Sequence, residues 1–151
     1  MSPSTERYER PSAIAVLANK LMGTLAAWGF APSYLVQLTV RGRKSGKLYS
    51  TPVNLLVFEG SEYLVAPRGT TSWVRNARAV GEVTLTQRRN RQTVRLEEVA
   101  APAKPQILKA YLEQYKSAVQ RYFAVQAGAE VTEFVPIVDD HPVFRVIRPA
   151  A

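Results

Sequence analysis

Leu35-Val-Gln-Leu-Thr-Val-Arg-Gly-Arg-Lys-Ser-Gly-Lys-Leu-Tyr-Ser-Thr-Pro-Val-Asn-Leu-Leu-Val-Phe58 is the stretch from which the rest of the chain can be read. Val36, Leu38 and Val40 alternate with Gln37, Thr39 and Arg41, which predicts a half-buried strand over Leu35–Val40. Pro52–Phe58 predicts a second strand. Between them, Arg41–Lys47 packs four cations and two glycines into a turn. Glycine permits close backbone approach, arginine supplies a planar fork and lysine a compact charge, so such a turn can surround a phosphate or carboxylate. The same composition also fits a solvated hairpin turn charged for solubility, so the choice depends on the residues downstream of Phe58.

There, Glu59-Gly-Ser61 turns the chain into a third strand, Glu62–Ala66. Pro67-Arg-Gly69 is a break, and Thr70 or Thr71 caps a short helix that Gly81 closes after Val80. Val83–Gln87 and Gln92–Val99 form a hairpin around Arg88–Arg91. Beyond Pro102 and Pro105 the apolar period becomes helical: Ile107, Leu108, Tyr111, Leu112, Tyr115, Val119, Tyr122 and Phe123 share one face. Val131–Val138 is helical or irregular, and Pro142–Arg148 a last strand. Upstream, residues 1–11 read as a flexible leader. From Ser12 to Trp28, Ile14, Leu17, Leu21 and Leu25 place one apolar stripe on an N-terminal helix. About six short strands without βαβ regularity predict an α+β fold, a small, mainly antiparallel barrel with packed helices, as a single domain over 12–151.

Composition narrows the chemistry. At 151 residues, with 46% hydrophobic and 21% charged residues, the chain fits one globular domain. No cysteine is present, which excludes disulfides, thiolate metal sites and thiol nucleophiles, and His141 as the sole histidine cannot build a zinc site. Twenty Lys+Arg against twelve Asp+Glu give a formal charge of +8 and point to an anionic partner. Nucleic acid is not expected, because neither basic run is interleaved with the aromatics that stacking platforms use. The apolar segment Ala13–Ala31 carries Asn19, Lys20, Gly23 and Gly29 and makes a poor membrane span.

Three features accumulate behind the cationic turn. Ala66-Pro-Arg-Gly69 ends a strand and opens a helix, so its N–H groups offer a second anion-competent corner. Trp73 and Asn76 lie three apart and share a helix face. Taken singly, Trp73 reads as a core anchor, Asn76 as a satisfied surface amide, and His141, before Pro142, as a turn residue.

Together these residues resemble a known family. Thr39-Val-Arg-Gly-Arg-Lys-Ser-Gly-Lys-Leu-Tyr-Ser-Thr-Pro-Val53, Tyr63-Leu-Val-Ala-Pro-Arg-Gly69, Trp73-Val-Arg-Asn76 and His141-Pro-Val-Phe-Arg-Val146 are similar, in order, to the deazaflavin-dependent nitroreductase family. The spacing G-R-x-S-G-x-x-x-x-x-P is the most specific part. The resemblance implies an actinobacterial type of oxidoreductase that uses coenzyme F420 on a split barrel related to the FMN-binding barrels. It implies hydride transfer to an activated double bond, quinone or nitro compound. F420 carries a phosphodiester and an oligoglutamate tail, which would account for the surplus of positive charge.

Residue by residue, the resemblance places Arg43, Lys44, Ser45 and Gly46 on the phosphate and tail. Pro52, Val53 and Asn54 fall beside the deazaflavin ring, Ala66, Arg68 and Gly69 in the cradle, and Trp73, Arg75 and Asn76 at its closure. Many relatives carry arginine where this chain has Tyr49, which supplies a hydroxyl but no charge; Arg75 and Arg78 are the candidates to replace it. Asn54 and Pro67 stand where certain relatives place tyrosine and serine near the substrate. Tyr111, Tyr115 and Tyr122 match tyrosines that line the substrate pocket in some members and are the catalytic candidates; the plainer reading is an aromatic stripe against the barrel. The expected partner is a small electrophilic molecule, on a monomer or homodimer in the cytoplasm, with weak contact to a membrane surface left open. An FMN-dependent enzyme and a non-catalytic lipid- or cofactor-binding barrel are the alternatives.

Overall fold

A computed structural model describes residues 34–150; the expected leader over 1–11 and the helix over 12–28 lie outside the described residues. Six strands form the fold: β1 (Leu35–Arg41), β2 (Leu48–Phe58), β3 (Ser61–Val65), β4 (Glu82–Gln87), β5 (Asn90–Glu98) and β6 (Val143–Ile147). They close into an antiparallel barrel in the order β1-β2-β3-β6-β5-β4. Helix α1 (Ser72–Val80) joins β3 to β4, and helix α2 (Lys104–Val119) follows β5.

The alternation seen in the sequence is the alternation of the barrel wall. Val36, Leu38 and Val40 point inward with Val53, Leu55, Leu64, Val83, Leu85, Val94 and Val146. Leu38 lies opposite Leu85, and Val36 opposite Val53, so neighbouring strands present their apolar residues to the same side. A slip of one residue would turn a whole strand's apolar set outward, which fixes the register. Truncating a fully buried leucine such as Leu38 to alanine would cost about 2–5 kcal/mol.

A second apolar cluster lies outside the barrel, where Ile107, Leu108, Tyr111 and Leu112 of α2 meet Leu56, Val65, Phe134 and Val143. The segment Val131–Asp140 is a 3-10 helix containing Pro136. The Lys104 ammonium, almost fully buried, donates to the Val138 carbonyl oxygen and ties this segment to the start of α2. Burial lowers the pKa of that lysine, with Asp139 and Glu98 opposing the shift.

Two departures from the sequence reading matter for the site. β2 begins at Leu48 rather than Pro52, because its first half pairs with β1 from Arg41↔Leu48 to Leu35↔Asn54. Pairing with β3 covers only Leu55–Phe58, so the stretch Leu48–Asn54 has a strand on one side and a free edge on the other. Proline lacks the N–H that a ladder needs, and a free edge is where Pro52 can sit inside a strand. The second departure is at α1, where Thr71 holds the N-cap position but its side chain makes no capping hydrogen bond.

Candidate functional site

The turn between β1 and β2 is held tightly by its own backbone. Gly42 N donates to the Lys47 carbonyl at 2.6 Å, Gly46 N to the Gly42 carbonyl at 3.0 Å, and Arg41 Nη1 to the Gly46 carbonyl at 2.7 Å. Gly46 adopts φ 74°, a left-handed conformation that favours glycine. Gly42 is required for a different reason: a Cβ there would lie 2.7 Å from Tyr49 Cε2 and 3.0 Å from Ser45 Oγ. Among the described residues nothing pairs with the ammonium groups of Lys44 and Lys47, both exposed.

Asn76, on α1, reaches this turn. Its Oδ1 accepts from Arg43 N at 3.0 Å and from Arg43 Nη1 at 2.8 Å, while the residue is only 3% exposed. The surface amide expected from sequence is therefore a buried clamp on the cationic turn. Trp73, one helical turn earlier, tilts against Phe144 with ring centroids 5.7 Å apart.

The end of β3 forms the opposite wall. Ala66 N donates to the Pro142 carbonyl at 2.8 Å and His141 Nδ1 to the Pro67 carbonyl at 2.9 Å. His141 is buried and stacks on Phe123 at 4.0 Å, so the turn residue expected from sequence is also a structural clamp on this corner. Gly69, at φ 91°, bends the chain toward α1, where the Thr71 hydroxyl is buried without a hydrogen-bond partner among the described residues. The first N–H groups of a helix also lack intrahelical partners, so this corner offers donors to an acceptor-rich guest.

Turn, free strand edge and corner surround one cleft of about 970 Å³. Arg43, Lys44, Ser45, Tyr49, Pro52, Val53, Asn54, Ala66, Arg68, Trp73, Asn76 and Tyr111, all singled out in the sequence, line it. Gly46, Gly69 and Arg75 do not; the two glycines shape the turn and the corner instead. Sequence reasoning missed Gln37, Thr71 and Ser72 in the wall. Gln37 lies directly across from Pro52, so the strand register carried that signal. Arg78 is not available to replace the charge absent at Tyr49, because Glu98 engages it in two bonds of 2.9 and 2.6 Å.

Of the three tyrosines only Tyr111 reaches the cleft. It is 1% exposed, and burial raises its hydroxyl above the ordinary range against the lowering effect of a hydrogen bond with Asn54. Tyr115 turns away: its hydroxyl donates to the Leu55 carbonyl at 2.5 Å, and burial, then Tyr34, pushes its pKa up to about 12. Tyr122 sits in the 3-10 turn after α2, its hydroxyl accepting from Arg121 Nη2 at 2.6 Å. No cluster of metal-ligating side chains occurs among the described residues, and no helix among them is long and apolar enough to cross a membrane.

A closed six-strand antiparallel barrel, with a free strand edge beside a cationic turn, defines a split-barrel protein. Solved structures agree on the fold. One described as an F420-H2 dependent reductase (FDR-A) is 21% identical with a TM-score of 0.51, over 75% of this chain and 93% of its own. Another, described as a domain-swapped dimer, is 18% identical with a TM-score of 0.54, over 86% of this chain and 93% of its own. A putative pyridoxamine 5'-phosphate oxidase from Listeria innocua is 9% identical with a TM-score of 0.52, over 78% of this chain and 85% of its own. No curated protein matches the sequence.

Residues 17–140 match the family described as F420H(2)-dependent quinone reductase, and the chain belongs to that family. It is accordingly an oxidoreductase whose cofactor is F420, in agreement with the resemblance carried by Thr39–Val53.

Proposed function

We propose that the protein delivers hydride from reduced F420 to a quinone, with activated double bonds and nitro compounds as further acceptors, in the cleft between the Gly42–Lys47 turn and Tyr111. The observation that carries this reading is the meeting, in one cleft, of an exposed cationic turn and the buried hydroxyl of Tyr111, hydrogen-bonded to Asn54. Bound F420 supplies the hydride.

The chain supplies grip, orientation and a hydrogen-bond donor. Lys44, the guanidinium of Arg43 and Ser45 Oγ are placed to hold phosphate and carboxylate oxygens, and charge-assisted bonds of this kind are about twice as strong as neutral ones. The free edge at Pro52–Asn54 offers backbone groups to the polar rim of a ring lying beside it. Ala66, Arg68 and the Thr71 hydroxyl close the far wall, and Trp73 covers it. Tyr111 keeps its proton at neutral pH and can donate a hydrogen bond to an oxygen that gains negative charge as hydride arrives. Tyr115 and Tyr122 take no part in the chemistry, since neither lines the cleft.

Steady-state reduction of menadione, a cyclic enone and a nitroaromatic by reduced F420 tests the substrate class. Quinone turnover above the other two is expected; saturable F420 binding with no quinone turnover would overturn it. A cytoplasmic location with weak attachment to an anionic membrane is a second part of the reading. It is favoured by Arg88, Arg89 and Arg91, all exposed at the β4–β5 tip and without ion-pair partners among the described residues. Sedimentation with phosphatidylserine vesicles but not phosphatidylcholine vesicles is expected, and equal recovery with both would refute it.

A further inference from the structure

We infer that Asn76 is a positioning residue that acts through Arg43: it sets the cationic turn in its ligand-holding shape before any cofactor arrives. Its single side-chain oxygen accepts two N–H groups of the same residue, one from the backbone and one from the guanidinium. That pairing fixes both the path of the turn and the direction of the arginine fork. It also settles which end of the amide is oxygen, since only an acceptor can face two donors. An exposed arginine with several rotatable bonds would otherwise have to be ordered when a ligand binds, at the expense of affinity.

The clamp is placed for this purpose. Asn76 is 3% exposed and rides on α1, which packs against β1 and β4 at the barrel end where the turn emerges. It lines the cleft without being needed for the barrel core, which is formed by the strand residues and Ala77. Arg43 is thus held by its backbone N–H and its Nη1, and among the described residues no other partner engages the rest of its fork. This rests on the reading of the turn as the grip for the acidic portion of F420.

The test uses two near-isosteric variants of the full chain. Asn76→Leu removes the acceptor, and Asn76→Asp keeps it. In the cofactor-free protein, hydrogen exchange at the Arg43 amide is expected to quicken tenfold or more in Asn76→Leu and to stay near wild type in Asn76→Asp, with the barrel amides unchanged in both. The dissociation constant for F420 should rise tenfold or more in Asn76→Leu, a larger change than in kcat at saturating cofactor. The loss should shrink to threefold or less when measured in an Arg43→Met background. An unchanged Arg43 amide in Asn76→Leu, or an undiminished loss in the Arg43→Met background, would overturn the inference. If wild type failed to bind F420, the exchange result would still decide the clamp, and the cofactor reading alone would fall.

Discussion

Replacing Gly42 by alanine asks whether the shape of the turn, and not its charge alone, makes the site. The added methyl would lie 2.7 Å from Tyr49 Cε2, 3.0 Å from Ser45 Oγ and 3.3 Å from the Lys47 carbonyl oxygen. Tyr49 is 51% exposed and can swing aside. The Lys47 carbonyl cannot easily retreat, because Gly42 N already bonds to it at 2.6 Å. Overpacking of this kind costs about 1–3 kcal/mol. For a chain of this size that corresponds to a fall in Tm of roughly 2–12 °C.

The same displacement moves Ser45 and loosens the turn, so F420 affinity should fall by about tenfold, the equivalent of ~1.4 kcal/mol. Thermal unfolding and a fluorescence titration of F420 measure both quantities. Removing the ring in Gly42→Ala/Tyr49→Ala should recover part of the Tm, since the shortest contact disappears while the one at 3.3 Å remains. A Gly42→Ala protein with unchanged Tm and unchanged affinity would refute the claim that the turn needs an open position there.

The tyrosines and the hairpins give further expected outcomes. Tyr111→Phe should lower kcat by roughly 10²-fold with little change in F420 affinity, as expected for loss of one donor to developing charge; a turnover loss under twofold would remove Tyr111 from the chemistry. Tyr115→Phe should leave kcat unaltered and cost about 1–3 kcal/mol of stability, because the buried Leu55 carbonyl loses its donor. With the Tyr115 pKa raised to about 12, the unfolded chain ionises first, so wild-type stability should fall as pH rises from the ordinary tyrosine range through that value. Denaturant midpoints across this window should show a shallower decline in Tyr115→Phe, and an identical slope would contradict the shift. Arg88→Gly should raise stability by up to about 1 kcal/mol, because Arg88 adopts φ 56°, where a side chain is strained; a lower Tm would count against this.

Much of the barrel could be read directly because a strand's side-chain period is two and its turns are marked by Gly, Pro and charge. Val36, Leu38 and Val40 announced their inward face, and Arg41–Lys47 its break. The start of β2 was misplaced because Leu48–Thr51 mixes polar and exposed apolar residues along a free edge, where no opposing sheet imposes alternation. Closure of β1 on β4 joins residues far apart in sequence, and no local pattern encodes it. The cationic turn was legible in composition and spacing, yet the burial of Asn76 was not, since an amide on a short helix looks the same whether it meets water or Arg43. His141 was likewise invisible as a clamp, for its partners Pro67 and Phe123 come from two other segments. The tyrosines separated only in three dimensions: α2 departs from helical geometry at Tyr115, and that hydroxyl is engaged by β2.

The most direct measurement is a paired titration of the wild-type chain and Lys44→Ala with F420 and with FMN, repeated at two salt concentrations. Saturable F420 binding should exceed FMN binding by at least about tenfold, and Lys44→Ala should weaken it while flattening its salt dependence, as removal of one phosphate-directed cation requires. Equal affinity for FMN, or F420 binding untouched by Lys44→Ala at either salt concentration, would contradict the grip of the Gly42–Lys47 turn on the acidic part of the cofactor.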